Sequence, residues 1–142
     1  MMMRTRVLIL CTANSARSQM AEGLLRHEGG DRFDVASAGI QPSSVRSEAI
    51  EVMWELGIDI SRQRSKSVEE FVGQDFDYVI TVCDTAKQSC PVFPGKTTLM
   101  HLSIEDPAAA EGDQASRLVI FRRVRDDLRE RLRGFLAEHA RS

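Results

Sequence analysis

Apolar positions along the chain alternate between two rhythms. Short, nearly unbroken apolar runs occur from Arg6 to Leu10, Phe33 to Ala36, Tyr78 to Val82 and Thr98 to Leu102. Each has the length and character of a strand covered on both faces, as in a parallel sheet. Between them the period lengthens. Ser18 to His27 is helix-forming and stops at Gly29-Gly30, while Ser47 to Leu56 sets Ala49, Ile50, Met53 and Leu56 on one face and stops at Gly57. Shorter helical patterns occupy Ser67 to Val72 and the surroundings of Thr85 to Ser89. From Gln114 to Glu138, Phe121, Val124, Leu128, Leu132, Phe135 and Leu136 recur at three- and four-residue steps, predicting an amphipathic helix whose Arg-rich opposite face is solvated. Cys90 to Gly95 and Glu105 to Gly112 read as the two long loops. Strands alternating with helices imply right-handed crossovers and a doubly wound α/β fold: a four-stranded parallel sheet flanked by helices, with ligands at the carboxyl ends of the strands.

Length and charge narrow this picture. A chain of 142 residues fits one domain, spanning 1–142, that can bury a proper core. A formal net charge of -2 argues against a nucleic-acid surface, and no apolar run approaches a membrane span. Met1-Met2-Met3-Arg4-Thr5-Arg6 is basic, but too few apolar residues follow for a signal-peptide core. The expectation is a cytoplasmic monomer whose thiols stay reduced, so that its three cysteines serve catalysis or metal binding rather than structure.

The first of these cysteines carries the clearest chemistry. Cys11 ends the first apolar run and is followed by Thr12-Ala13-Asn14-Ser15-Ala16-Arg17-Ser18 and then a helix. A strand that delivers a thiol into a small-residue loop above a helix start is a geometry in which backbone N–H groups converge on an anion. The C-x5-R spacing lets the loop curl into a cradle of donors, with Arg17 closing it as a planar fork on two oxygens of a phosphate-like ligand. The same positive surroundings favour the thiolate over the thiol. Ser18 can donate to the sulfur, and Asn14 tolerates the left-handed backbone such a loop needs. The bland alternative is that Cys11 is a small buried hydrophobe.

Cys83 follows the third strand and should emerge on the same rim as Cys11, with Cys90 seven residues on. Were residues 83 to 90 helical, the two sulfurs would share a face but stand about 10 Å apart along the axis, too far for a disulfide without unwinding. A redox relay with local refolding competes with a plainer reading, a core cysteine and a loop thiol. The cysteine spacing makes a poor zinc ligand set, and no metal is expected. Asp106 in Asp106-Pro107 lies just beyond the fourth strand, where its carboxyl either protonates a leaving oxygen or marks a turn. His27 and His139 read as surface helix residues, His101 as a strand residue, and Trp54 as packing.

The stretch from Cys11 to Ser18 with Gln19-Met20-Ala21-Glu22, the later Ser37-Ala38-Gly39 and the Asp106-Pro107 pair resemble the low-molecular-weight protein tyrosine phosphatase superfamily over nearly the whole chain. Within it, Cys83 and Cys90 make the chain similar to the thioredoxin-coupled arsenate reductase branch. Ala108-Ala109-Ala110 follow Asp106-Pro107, where phosphatases of the family place aromatic residues to wall a phosphotyrosine pocket. The resemblance implies a phosphatase-like fold and catalysis by Cys11, Arg17, Cys83, Cys90 and Asp106, with the oxyanion held by Thr12, Ala13, Asn14, Ser15, Ala16, Arg17 and Ser18. It implies arsenate as substrate, phosphate as competitor and thioredoxin as electron donor, with no bound cofactor. The alternative is a phosphomonoesterase acting on phosphotyrosine, and weak phosphatase activity is expected in either case. Some relatives bind potassium through an Asn, a Ser and a Thr/Asp pair. Asn14 and Ser37 match, whereas Arg64 and Lys66 stand where the last two would lie, which speaks against a bound potassium and raises the alternative that a Lys ammonium supplies its charge.

Overall fold

In the computed structural model, residues 4–139 are described; Met1 to Met3, part of the amino-terminal stretch read above, lie outside them. Four parallel strands run β1 (Thr5–Cys11), β2 (Phe33–Gly39), β3 (Tyr78–Thr81) and β4 (Thr98–His101), in the order β2-β1-β3-β4. Around them lie α1 (Arg17–Gly29), α2 (Ser47–Trp54), α3 (Asp84–Gln88) and α4 (Gln114–His139), with 3₁₀ turns at Gly30–Arg32, Val68–Glu70 and Pro107–Ala109. Val7, Leu8, Ile9 and Leu10 are wholly buried, so both faces of β1 are covered and the expected alternation of sheet and helix holds. The strand order reverses at β1: the chain steps to β2 on one side and then crosses to β3 on the other. In an open α/β sheet that switch point, at the carboxyl ends of the strands, is where ligands bind.

β2 outruns its predicted end at Ala36. Ser37, Ala38 and Gly39 have little strand character of their own, but they pair with Ile9, Leu10 and Cys11, and tertiary pairing overrides propensity. Gly30, with φ 61°, caps α1 where the Gly pair predicted a stop. The buried face of α2 is Ala49, Val52 and Met53, with Ile50 and Leu56 only partly covered. The helical pattern from Ser67 to Val72 closes as a single 3₁₀ turn capped by the Ser67 hydroxyl. All six apolar residues predicted for the core face of α4 are buried.

Three expectations fail. Arg125, on the face of α4 expected in solvent, is 8% exposed, and its guanidinium donates to the Val52 carbonyl and to Glu55. Trp54 is 64% exposed rather than packed. His139 is no plain surface residue: its ring stacks on Phe135 and tilts against Phe33. The Gln114–His139 helix is long enough to reach the aromatic cluster at the far rim of the sheet, a tertiary contact that local periodicity does not encode. Among the described residues no helix is long and apolar enough to cross a membrane.

Candidate active site

β1 ends at Cys11 and α1 begins at Arg17, leaving five residues to turn the chain. The loop carbonyls are tied outward: those of Cys11, Thr12, Ala13 and Ser15 accept from the backbone N–H groups of Ile40, Gln41, Ser43 and Arg46. In a trans peptide the next N–H points opposite to the carbonyl, so the N–H groups of Thr12, Ala13, Asn14 and Ala16 are turned to the inner side. There the Asn14 N–H lies 3.2 Å from Cys11 Sγ. Asn14 takes φ 49°, the left-handed backbone foreseen for it.

Ser18 Oγ stands 2.8 Å from the same sulfur. Arg17 has one N–H on the Ile104 carbonyl at 3.2 Å and a terminal nitrogen 3.6 Å from Asp106 Oδ2. Cys11, Thr12, Ala13, Ser15, Ala16, Arg17, Asp106 and Ala108 line a pocket of about 170 Å³ with no aromatic wall. Asp106 marks the turn, as the plainer reading of Asp-Pro has it: Oδ1 caps the 3₁₀ turn by accepting from the Ala108 N–H, while Oδ2 faces Arg17.

Cys83 lies just past the end of β3, the neighbour of β1, and is buried. Its Sγ is 3.2 Å from Thr12 Oγ1 and accepts from the Ala86 N–H as the cap of α3. α3 stops at Gln88, so Cys90 is not on the helix but on the loop after it, half-buried, with Sγ 3.5 Å from the Pro91 carbonyl. Burial pushes the Cys90 thiol up from its ordinary range. All three cysteines are free. The fully exposed Val92 follows two residues later. His101 clasps this segment, with Nδ1 2.8 Å from Thr81 Oγ1 and Nε2 3.2 Å from Asp84 Oδ1.

Behind the loop is a layer that sequence reasoning largely missed. Asn14 Nδ2 donates to Ser18 Oγ at 2.7 Å and to Ser37 Oγ at 3.0 Å, and the Ser37 hydroxyl donates to Glu22 Oε1 at 2.6 Å. Asn14 Oδ1 accepts from Gln19 Nε2 and from the Lys66 backbone N–H. The Lys66 ammonium lies 3.7 Å from Glu22 Oε1 and donates to the Arg64 carbonyl, while the Arg64 side chain turns outward to Glu70. A potassium ion does not fit beside this set, because an ammonium already faces the carboxylate and carbonyl oxygens that would ligate it. The signal for the layer was Glu22 itself, a carboxylate among Met20, Ala21, Leu24 and Leu25 on a buried helix.

Residues 6–142 match the family described as "Low molecular weight phosphotyrosine protein phosphatase". An arsenate reductase of Halalkalibacterium halodurans is 43% identical over 129 residues, 91% of this chain and 93% of that protein. Among solved structures, "An arsenate reductase in the phosphate binding state" superposes with a TM-score of 0.78 at 34% identity, covering 94% of this chain and 98% of that one. A thioredoxin-dependent arsenate reductase of Corynebacterium glutamicum superposes with a TM-score of 0.67 at 27% identity, over 95% of this chain and 63% of that one.

Proposed function

The chain belongs to the low molecular weight phosphotyrosine protein phosphatase family, and within it we propose that the protein is a cytoplasmic arsenate reductase that passes its oxidising equivalents from Cys11 to Cys83 to Cys90 and out to thioredoxin. The observation that carries this reading is the second thiol at the anion loop, Cys83 Sγ 3.2 Å from the hydroxyl of the residue after Cys11. Ester hydrolysis by Cys11, Arg17 and Asp106 would have no use for it. The pocket also lacks the aromatic wall that a phosphotyrosine ring would stack on.

Arsenate enters the loop as a tetrahedral oxyanion, held by the inward amides and the free N–H groups of Arg17. The Cys11 thiolate, stabilised by the Asn14 N–H and the Ser18 hydroxyl, attacks arsenic. Asp106 protonates the departing oxygen, which leaves as water, and a thio-arsenate ester remains. Cys83 then attacks Cys11 Sγ. An S–S bond forms, the S–As bond breaks, and its electron pair stays on arsenic, which departs as arsenite. Cys90, as thiolate, attacks Cys83 Sγ; Cys11 is released and the disulfide moves to Cys83 and Cys90. The dithiol of thioredoxin takes the oxidation away in two exchanges. Since Cys90 is half-buried with its thiol pushed up, it becomes a nucleophile only when the segment after α3 opens.

Arsenate supplied with thioredoxin, its reductase and NADPH tests the sequence. Wild type turns over continuously. Cys90→Ser should release about one arsenite per enzyme molecule and stop with Cys11 and Cys83 joined, and Cys83→Ser should release almost none. Both variants should keep a weak hydrolysis of a small aryl phosphate, and Cys11→Ser should lose both activities. Sustained reduction by Cys83→Ser or Cys90→Ser would refute the relay, and aryl phosphate turnover far above arsenate reduction in wild type would favour the phosphatase.

A further inference from the structure

The layer behind the loop ends in an ion pair that the proposed chemistry does not touch. Glu22 and Lys66 have side chains only 5% and 11% exposed, and between them and Cys11 lie Ser37, Asn14 and Ser18, all wholly buried. Hydrogen bonds in this row have a direction. Asn14 Oδ1 already receives two donors, so its amide N–H groups must point to the two serines. Ser18 receives one of them and keeps its own proton for the sulfur. Ser37 receives the other and must donate onward, which requires an acceptor at Glu22. A carboxylate only accepts, whereas a carboxylic acid would present its own proton to Ser37 and compete with the bond that seats Asn14.

Two cations face the Glu22 carboxyl in this buried setting. Arg26 reaches Oε2 at 2.9 Å but is half exposed, and water screens it. Lys66 faces Oε1 from inside. Burial is the strongest influence on Lys66, pushing its ammonium down from the usual amine value; the Glu22 charge pulls the other way, and Arg64 adds to the depression. The nearby charges are Glu22 and Arg26 on α1, Arg64 and Glu70 on the segment that carries Lys66, and Asp59 and Arg62, which line the same pocket.

We infer that the Lys66 ammonium is a tethered monovalent cation that holds Glu22 as a carboxylate and so fixes the direction of the hydrogen bonds running through Ser37 and Asn14 to Ser18 and the Cys11 sulfur. Lys66 is thus a positioning residue for the nucleophile. The inference rests on the thiolate reading of the site given above and involves neither arsenate nor thioredoxin.

The test is the pH dependence of Cys11 alkylation in Cys83→Ser/Cys90→Ser protein, compared for Lys66, Lys66→Arg and Lys66→Met. With Lys66 or Arg at the position, the midpoint should lie below the ordinary thiol value of about 8.5. Lys66→Met should move it up by about one pH unit. Potassium chloride at about 0.1 M, set against equal choline chloride, should recover much of that shift in Lys66→Met and leave the Lys66 protein unchanged, because a small cation can enter the space the ammonium vacates. An unmoved midpoint in Lys66→Met would overturn the inference, and so would a shift indifferent to potassium, the mark of a packing defect. If Lys66→Met fails to fold, Lys66→Met combined with Glu22→Met removes the ammonium and the acceptor of the Ser37 hydroxyl together. That variant should show a raised midpoint without a potassium response, and a midpoint like that of the Lys66 protein would count against the inference equally.

Discussion

Gly39 ends β2 where a Cβ would stand 2.7 Å from the Thr12 carbonyl oxygen and 2.8 Å from the Asn14 amide nitrogen. Both neighbours are backbone of the loop between Cys11 and Arg17, so no side-chain rotation relieves the clash. Gly39→Ala should therefore cost about 1–3 kcal/mol of stability and lower arsenate kcat/KM as the loop is pushed off its geometry, read by urea unfolding and steady-state assay. Residues in and next to the loop after Cys11 were legible in the sequence. Cys11 and Arg17 announce themselves by spacing, Asn14 by its tolerance of left-handed backbone and Ser18 by its nearness to the thiol. Glu22, Gln19, Ser65 and Lys66 were not read as a support layer, because each acts on the loop through a contact that exists only after β2 and the segment before Val68 fold over it. The Ser65 hydroxyl, for instance, donates to the Ala13 carbonyl across 52 residues of chain.

At the scale of elements, strands and long helices followed from periodicity, while short pieces depended on capping. α3 is five residues long and rests on three local devices: the Cys83 sulfur accepting from Ala86, the Asp84 contact with His101, and the burial of Ala86. So short a helix has no stability of its own. Joining Cys83 to Cys90 takes the cap away and requires the intervening turn to close up. Hydrogen exchange should accordingly show residues 84–90 losing protection when that disulfide is formed, while α1 and α4 stay as slow as before. Equal protection in the two redox states would mean that the sulfurs meet without unwinding. The short helix expected around Thr85 to Ser89 is present, but the condition of one helix carrying both thiols is not met, since α3 ends two residues short of Cys90.

Across the whole molecule, α4 is bound to α1 and α2 by charged pairs as well as by its apolar stripe. Arg129 and Arg133 meet Glu28, Arg122 and Arg125 meet Glu55, and Arg117 meets Glu48. Hydrogen bonding from Arg122 holds the Glu55 carboxyl below the usual range, against the cost of burial and with help from Arg125. For Glu28 burial is the strongest single influence and raises it, yet Arg129 and Arg133 together outweigh it and the net direction is down. Glu48 is likewise lowered despite burial, by its own backbone N–H and by Arg46. Depressed folded values mean that the unfolded chain binds more protons as acid is added. The stability these groups contribute is complete above the unfolded carboxylate value of about 4.3 and drains as pH falls through it toward the folded values. Urea midpoints should therefore be insensitive to these carboxyls from about pH 6 to 8 and drop below about pH 5. A midpoint unchanged down to pH 3 would contradict the assignment.

Parallel strands give the molecule a working end and a blank one. Thr5 opens β1 about 20 Å from the sulfur at its other end, and the Thr5 hydroxyl meets the ring of His139 at 3.2 Å. The first strand and the last helix are thus moored side by side on the blank end. Extra sequence grafted before or after these residues would trail away from the pocket, and a fused protein could share the chain without shading its entrance.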